Sequence, residues 1–249
     1  MWLLEEGVTN LDHAQLAKHD RRKLGISEGM ALLDTGCGWG GLLKYAAEHY
    51  GAHPCLGVTL SAKQVALGTE RCRGLSISLL VQDYRDVTGT FDRIASIGIL
   101  EHVGPKNHRA YFEKMYKLLK PLGLLLVHTI GSLVRSPTLR LPEMEWINRE
   151  IFPGSVIPSF GQIASASDGL FSLLDAQEFG PYYDLTPMAW HENFEKSWSE
   201  IKHLYDARFY RTWRYYLHFC AAAFRVGNNY TLWQVVFGKD YQGVYKSVR

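Results

Sequence analysis

The stretch Leu32-Leu33-Asp34-Thr35-Gly36-Cys37-Gly38-Trp39-Gly40-Gly41 runs from apolar residues through an acid into alternating glycines. A short apolar run closed in this way is the pattern of a strand feeding a tight turn that opens a helix. Glycines let the backbone turn sharply, and they let a ligand approach main-chain N–H groups that a side chain would shield. The pattern points to an adenosine-type cofactor; a bare structural turn is the competing reading.

The residues around the turn favour the ligand. Across residues 31–128, short β-type runs alternate with helical segments, which is the signature of successive βαβ units and a mainly parallel sheet. The fold class is α/β. Predicted strands cover 31–34, 55–59, 77–81, 93–97 and 124–128. Predicted helices cover 41–50, 61–71 with Ser61 as N-cap, and 107–119 with a cap-like Asn107. The glycine turn then follows the first strand, where the strand order of a doubly wound sheet reverses and leaves a crevice.

Candidate chemistry gathers at the carboxyl ends of the strands. The second strand ends in Thr59-Leu60-Ser61, where a dinucleotide fold offers the ribose a carboxylate, so a dehydrogenase is disfavoured. Asp83-Tyr84-Arg85, after the third strand, offers an acceptor and an aromatic face to an adenine, or is a solvated turn. Glu101-His102 follows the fourth strand and His128 ends the fifth, so an acid and a histidine can meet there. A capping glutamate and a core histidine are the plainer alternative.

After Gly131 the rhythm changes. A Pro-interrupted segment over 137–158 carries Trp146, Ile147, Ile151 and Phe152 without clean periodicity, and reads as part of an insertion over about 133–165 at the ligand edge. A β segment near 171–174, a helical pair across 191–225 and a last strand near 230–237 complete the chain. Cys220 lies among aromatics and alanines, which is usually a packing environment. Tyr182, Tyr183, Trp190, Tyr215 and Tyr216 together could wall a cavity that stabilises a cation, although packing alone would explain most of them.

Composition bounds the rest. The 249 residues, 47% apolar, suit one globular domain, and a formal charge of +2 argues against nucleic acid as the main partner. No apolar run reaches the roughly 18–20 residues of a spanning helix. The N-terminus, Met1-Trp2-Leu3-Leu4-Glu5-Glu6, lacks the basic and apolar regions of a signal peptide. Cys37, Cys55, Cys72 and Cys220 show no metal-ligand spacing, so no metal site is expected, and reduced thiols in the cytoplasm are.

Several blocks, in order, carry a resemblance more specific than any one motif. They are Leu33 to Gly41, Gly57-Val58-Thr59-Leu60-Ser61-Ala62-Lys63-Gln64, Gln82-Asp83-Tyr84-Arg85-Asp86, Phe91-Asp92-Arg93-Ile94, Glu101-His102-Val103-Gly104-Pro105-Lys106-Asn107 and His128-Thr129-Ile130-Gly131. Further on come Trp146-Ile147-Asn148, Ile151-Phe152-Pro153, Tyr183-Asp184, Met188-Ala189-Trp190, Tyr215-Tyr216-Leu217, Cys220-Ala221 and Leu232 to Phe237. From about Asn10 to Phe237 the chain closely resembles the cyclopropane-fatty-acyl-phospholipid synthases, a group akin to the mycolic acid cyclopropane synthases.

The resemblance implies a Rossmann-like, seven-stranded class I S-adenosylmethionine-dependent methyltransferase with a lid insertion. Its implied reaction adds a methylene across a cis double bond of an unsaturated phospholipid acyl chain, with a bound bicarbonate as base. By position, Glu101, His128, the Ile130 backbone and Tyr183 would hold the bicarbonate. Cys220 matches a cysteine labelled as active-site in the family, although its setting favours pocket shaping over a covalent role. Asp34, Gly36, Cys37, Gly38, Trp39, Gly40 and Gly41 would receive the methionine part of the cofactor. Thr59, Leu60 and Gln64 would take the ribose, and Tyr84 with Arg85 the adenine.

Peripheral contact with the inner face of the membrane and a homodimer are further family expectations. The chain departs from the family in its N-terminal part. The lipid-binding domain that precedes this region in relatives is not in the sequence, nor is a short segment with tyrosine, serine and cysteine that adds to both sites. A single catalytic domain over 1–249 is therefore expected, with a leading helix across 14–29. Small-molecule N-methyltransferases and acyl-chain methyltransferases without ring closure share the scaffold, and an inert cofactor-binding module is a further alternative. The joint presence of Glu101, His128 and Tyr183 favours cyclopropane chemistry.

Overall fold

A computed structural model of the chain describes residues 23–133, 142–226 and 229–247. Seven strands form one sheet: β1 (Leu32–Asp34), β2 (Cys55–Thr59), β3 (Ile77–Val81), β4 (Phe91–Ile97), β5 (Leu119–Ser132), β6 (Ser172–Glu178) and β7 (Tyr230–Gly238), in the order β3-β2-β1-β4-β5-β7-β6. The first five pair in parallel, and β7 runs antiparallel to both of its neighbours. The strand order reverses at β1, so the crevice expected there opens between β1 and β4.

The helices are α1 (Gly41–Tyr50), α2 (Ala62–Arg71), α3 (Leu100–Val103), α4 (His108–Leu118), α5 (Pro142–Glu150), α6 (Phe160–Ser167), α7 (Gly180–Tyr183), α8 (Leu185–Ile201) and α9 (Ala207–Val226). Alternating side chains of the strands feed two cores. Leu33, Ile94, Leu125 and Val127 pack with Tyr111, Phe112 and Met115 of α4, while Leu32, Ala95, Leu126 and Val236 pack with Leu42 and Leu43 of α1. The continuous apolar run of β5 follows from burial on both faces.

Local signals set most boundaries. Gly40, at φ 79°, turns the chain into α1, and left-handed Gly51 ends that helix. Ser61 caps α2 by accepting the Gln64 N–H at 3.3 Å. Asn107 behaves differently: its side chain makes no cap, and Nδ2 donates to the Val103 carbonyl at 2.9 Å. Strand β5 runs to Ser132, beyond the expected end at His128, because β7 pairs with it from Leu124↔Gly238 to Ser132↔Tyr230. That long-range partner has no local signature. Similarly, β6 extends to Glu178 along β7, and the first helix of the late pair starts at Leu185.

The segment expected to be irregular contains α5. Its lack of simple periodicity reflects two packing surfaces, with Ile147 buried inward and Trp146 edge-on to Tyr215 of α9, ring centroids 4.7 Å apart. Residues 134–141 of the expected insertion, and most of the leading helix expected across 14–29, lie outside the described residues.

Candidate active site

The glycine turn has the backbone a ligand cradle needs. Gly38 (φ 52°) and Gly40 (φ 79°) are left-handed, and a Cβ on Gly38 would meet nothing within 4 Å, so the turn has an open side. Its other side is tightly packed. A Cβ on Gly57 would lie 2.7 Å from the Cys37 Cβ, and one on Gly68 of α2 would lie 2.8 Å from the Trp39 carbonyl oxygen. Asp34, 3% exposed, accepts the Gly36 N–H at 3.3 Å, and burial pushes its carboxyl up to about 7.

The other positions assigned to the cofactor line the same sheet edge. The Thr59 hydroxyl donates to Gln64 Oε1 at 2.8 Å and accepts the Ser61 N–H at 3.3 Å, which fixes the turn into α2. Leu60 is strongly exposed beside it. The Tyr84 ring rests edge-on against Tyr111, centroids 4.9 Å apart. Arg85 is placed differently, because its guanidinium is clasped by both oxygens of Asp83 at 2.9 and 2.7 Å and is largely exposed. The left-handed glycines of the turn and its open side fit an adenosyl cofactor.

A second, apolar cavity of about 260 Å³ lies beyond the ends of β4 and β5. Glu101, Ile130, Tyr183 and Cys220 meet at it. Glu101 is 6% exposed; its Oε1 accepts the Ile130 N–H at 2.7 Å, and its Oε2 is buried with no partner among the described residues. Burial raises the carboxyl above its ordinary range, although backbone N–H groups oppose the shift. The orphaned oxygen is a buried acceptor with unfilled capacity, and the O–H of a bicarbonate would fit it.

His128 does not line this cavity. It is buried on β5, the strand whose Ile130 N–H anchors Glu101, with Nδ1 3.1 Å from Gln234 Nε2 on β7. Cys220 lines the wall, but burial pushes its thiol up to about 12, so it is protonated and a poor nucleophile at neutral pH.

The aromatic wall is partly as expected. Tyr183, Trp190 and Tyr216 line the cavity, whereas Tyr182 (71% exposed) and Tyr215 (55% exposed) face outward and take no part in it. Helical phase decides this for α9, because Tyr215 and Tyr216 differ by about 100° around the axis. Phe152, expected only as part of the insertion, and Phe219 and Phe224, not assigned to the wall from the sequence, line it instead. Tyr183 sits edge-on to Phe224 at 4.7 Å and to Trp190 at 6.4 Å, and Phe152 meets Tyr216 at 5.9 Å.

Phe152 reaches the cavity because its loop is pinned. Asn148 Nδ2 donates to the Ser155 carbonyl at 2.7 Å, and Asn148 Oδ1 accepts the Gly154 N–H at 3.0 Å. The Val156 N–H then donates to the Glu101 carbonyl at 2.8 Å, tying the loop to α3. The spacing of Asn148 before Phe152 was the available signal.

A glycine turn at the β1–β4 switch point, with the antiparallel β7 lodged between β5 and β6, defines the class I S-adenosylmethionine-dependent methyltransferase fold. Among solved structures, the cyclopropane synthase MmaA2 from Mycobacterium tuberculosis aligns with a TM-score of 0.84 at 33% identity, covering 95% of this chain and 88% of that one. The mycolic acid cyclopropane synthase CmaA1 complexed with SAH and CTAB aligns with a TM-score of 0.83 at 30% identity over 92% of this chain and 85% of that one. Residues 3–235 match the family model for mycolic acid cyclopropane synthetase, and the chain belongs to that family. It is 46% identical over 242 residues to the cyclopropane-fatty-acyl-phospholipid synthase of Escherichia coli K12, a match covering 96% of this chain and 62% of that protein. The chain thus spans about three fifths of that relative's length.

Proposed function

We propose that this domain adds a methylene across a cis double bond of a phospholipid acyl chain to form a cyclopropane ring, with S-adenosylmethionine as carbon donor and bicarbonate as base. The observation that carries the reading is Glu101, buried at an apolar cavity walled by aromatic rings, with one carboxylate oxygen fixed by the Ile130 amide and the other without a hydrogen-bond partner among the described residues. A small-molecule amine acceptor would call for polar contacts that this lining does not emphasise.

When bound, the cofactor supplies an electrophilic methyl group on a sulfonium. The glycine turn holds that group at the switch point, and the apolar cavity aligns the alkene while excluding water, so that positioning supplies much of the rate. As the alkene's electron pair takes the methyl, the S–C bond pair would stay with sulfur in the departing S-adenosylhomocysteine, and a positive charge would develop on the neighbouring acyl carbon. The faces of Tyr183, Trp190 and Tyr216 stabilise it without bonding to it. Glu101 Oε2 would accept the O–H of a bicarbonate and orient it, with Tyr183 beside it at the cavity, whereas His128 stays outside that lining. So held, a bicarbonate would supply the base for a proton of the new methyl, becoming carbonic acid, and the freed C–H pair would close the ring.

In this reading α5 and the loop that carries Phe152 wall the acyl chain, and the domain works in the cytoplasm through peripheral contact with the membrane's inner face. No described helix is long and apolar enough to cross a membrane. The test is mass spectrometry of unsaturated phospholipid vesicles incubated with the chain and S-adenosylmethionine. A gain of one CH2 with loss of the double bond supports the reading. Binding of the cofactor without that product overturns it.

A further inference from the structure

The crevice between β1 and β4 is tied together by one buried phenol. Tyr111 of α4 is fully buried; its O–H donates to Ser96 Oγ on β4 at 2.6 Å and lies 2.9 Å from the Thr35 hydroxyl. Thr35 is the first residue after β1, and its N–H and hydroxyl both reach the Ala95 carbonyl of β4, at 3.1 and 3.3 Å. It is the last point at which the two strands are joined before the chain leaves for the glycine turn. The same Tyr111 ring is the seat of Tyr84, whose ring stands at 70° to it.

A phenylalanine would fill this volume equally well, and a buried hydroxyl is costly unless it is bonded. Here its partners are Ser96 on β4 and Thr35, the residue just past β1, on the two sides of the switch point. Burial also pushes the phenol well above its ordinary range, which keeps it a neutral donor.

We infer that Tyr111 is a positioning residue of the cofactor site: it fixes the ends of β1 and β4 relative to each other and seats Tyr84, so the turn is set before the ligand arrives. The inference rests on the cofactor reading above and extends it to a residue that touches no ligand.

The test is Tyr111→Phe in the full chain, which keeps the ring under Tyr84 and removes only the tie. Titration with S-adenosylhomocysteine by calorimetry, well below the unfolding temperature, is expected to show Kd raised about five- to tenfold, the scale of one buried hydrogen bond. KM for S-adenosylmethionine should rise in parallel while kcat at saturation stays within about twofold. A lowered Tm with Kd unchanged would mean a purely structural role and overturn the inference. Failure of the unsubstituted chain to bind would overturn the cofactor reading itself, which is a separable result. Should Tyr111→Phe not fold, Thr35→Val cuts the same tie from the other end, with the same expected rise in Kd and the same overturning result. The double variant should be no weaker than the worse single one, because both remove one shared tie; additive losses count against it.

Discussion

Glu101 and Ile130 stand 29 residues apart in the chain, and the Ile130 N–H donates to Glu101 Oε1 at 2.7 Å. The bond joins the helix that follows β4 to the neighbouring strand β5, and the second carboxylate oxygen is buried without a partner among the described residues.

Replacing that carboxylate tests its role. Glu101→Gln should lower kcat by about 10²-fold or more, the range of general acid–base contributions, with Kd for S-adenosylhomocysteine roughly unchanged. Equal loss of both would count against the assignment. Because burial raises the carboxyl, the acid limb of the kcat profile should lie above the ordinary glutamate range, with activity rising as the group ionises. An acid limb at the ordinary value would show that another group controls the rate.

Asp34 makes folding stability depend on pH. Its carboxyl moves from 3.8 to about 7 in the fold, so between those values the native state keeps a proton that the unfolded chain has lost. The stabilisation is complete below pH 3.8 and is lost as pH rises through about 7, at up to about 1.4 kcal/mol per pH unit. Urea midpoints of the unsubstituted chain should therefore fall relative to those of Asp34→Asn across this window. Parallel curves for the two proteins would refute it.

Cys220 should prove dispensable as a nucleophile. With its thiol pushed up to about 12, Cys220→Ala should retain turnover within about tenfold and chiefly raise KM for lipid. Alkylation by iodoacetamide at pH 8 should be slow. A loss of several orders of magnitude in the alanine variant would restore a direct chemical role.

Asn148 holds the loop that delivers Phe152 to the cavity through two bonds to Gly154 and Ser155. Asn148→Ala should weaken that loop by about 1–2 kcal/mol, which should appear as faster limited proteolysis over 151–157 and a higher lipid KM. Wild-type cleavage rates and KM would remove the loop from the account.

The glycine turn and the elements around it were legible in the linear chain because their conformational signals are local. The run into Gly36, Gly38 and Gly40 wrote both the strand and the turn, Ser61 marked the start of α2, and the elements over 41–50, 55–59 and 77–81 fall where their periodicity placed them. Left-handed backbone and an N-cap depend on residues a few positions apart, so a sequence can specify them directly.

The apolar cavity was legible only as a set of residue types. Which rings wall the cavity depended on the rotation of α9, which buries Tyr216 and leaves Tyr215 outside, and on Asn148 folding a distant loop inward. The extension of β5 past His128 needed β7, about a hundred residues later, and the partner of His128 is Gln234 on that strand. Sequence alone thus determined the α/β class, the switch-point turn and the inventory of acids, histidines and aromatics. The tertiary structure decided which of them meet, because burial against a remote strand or helix selects one face of each element, and nothing local distinguishes that face from its neighbour.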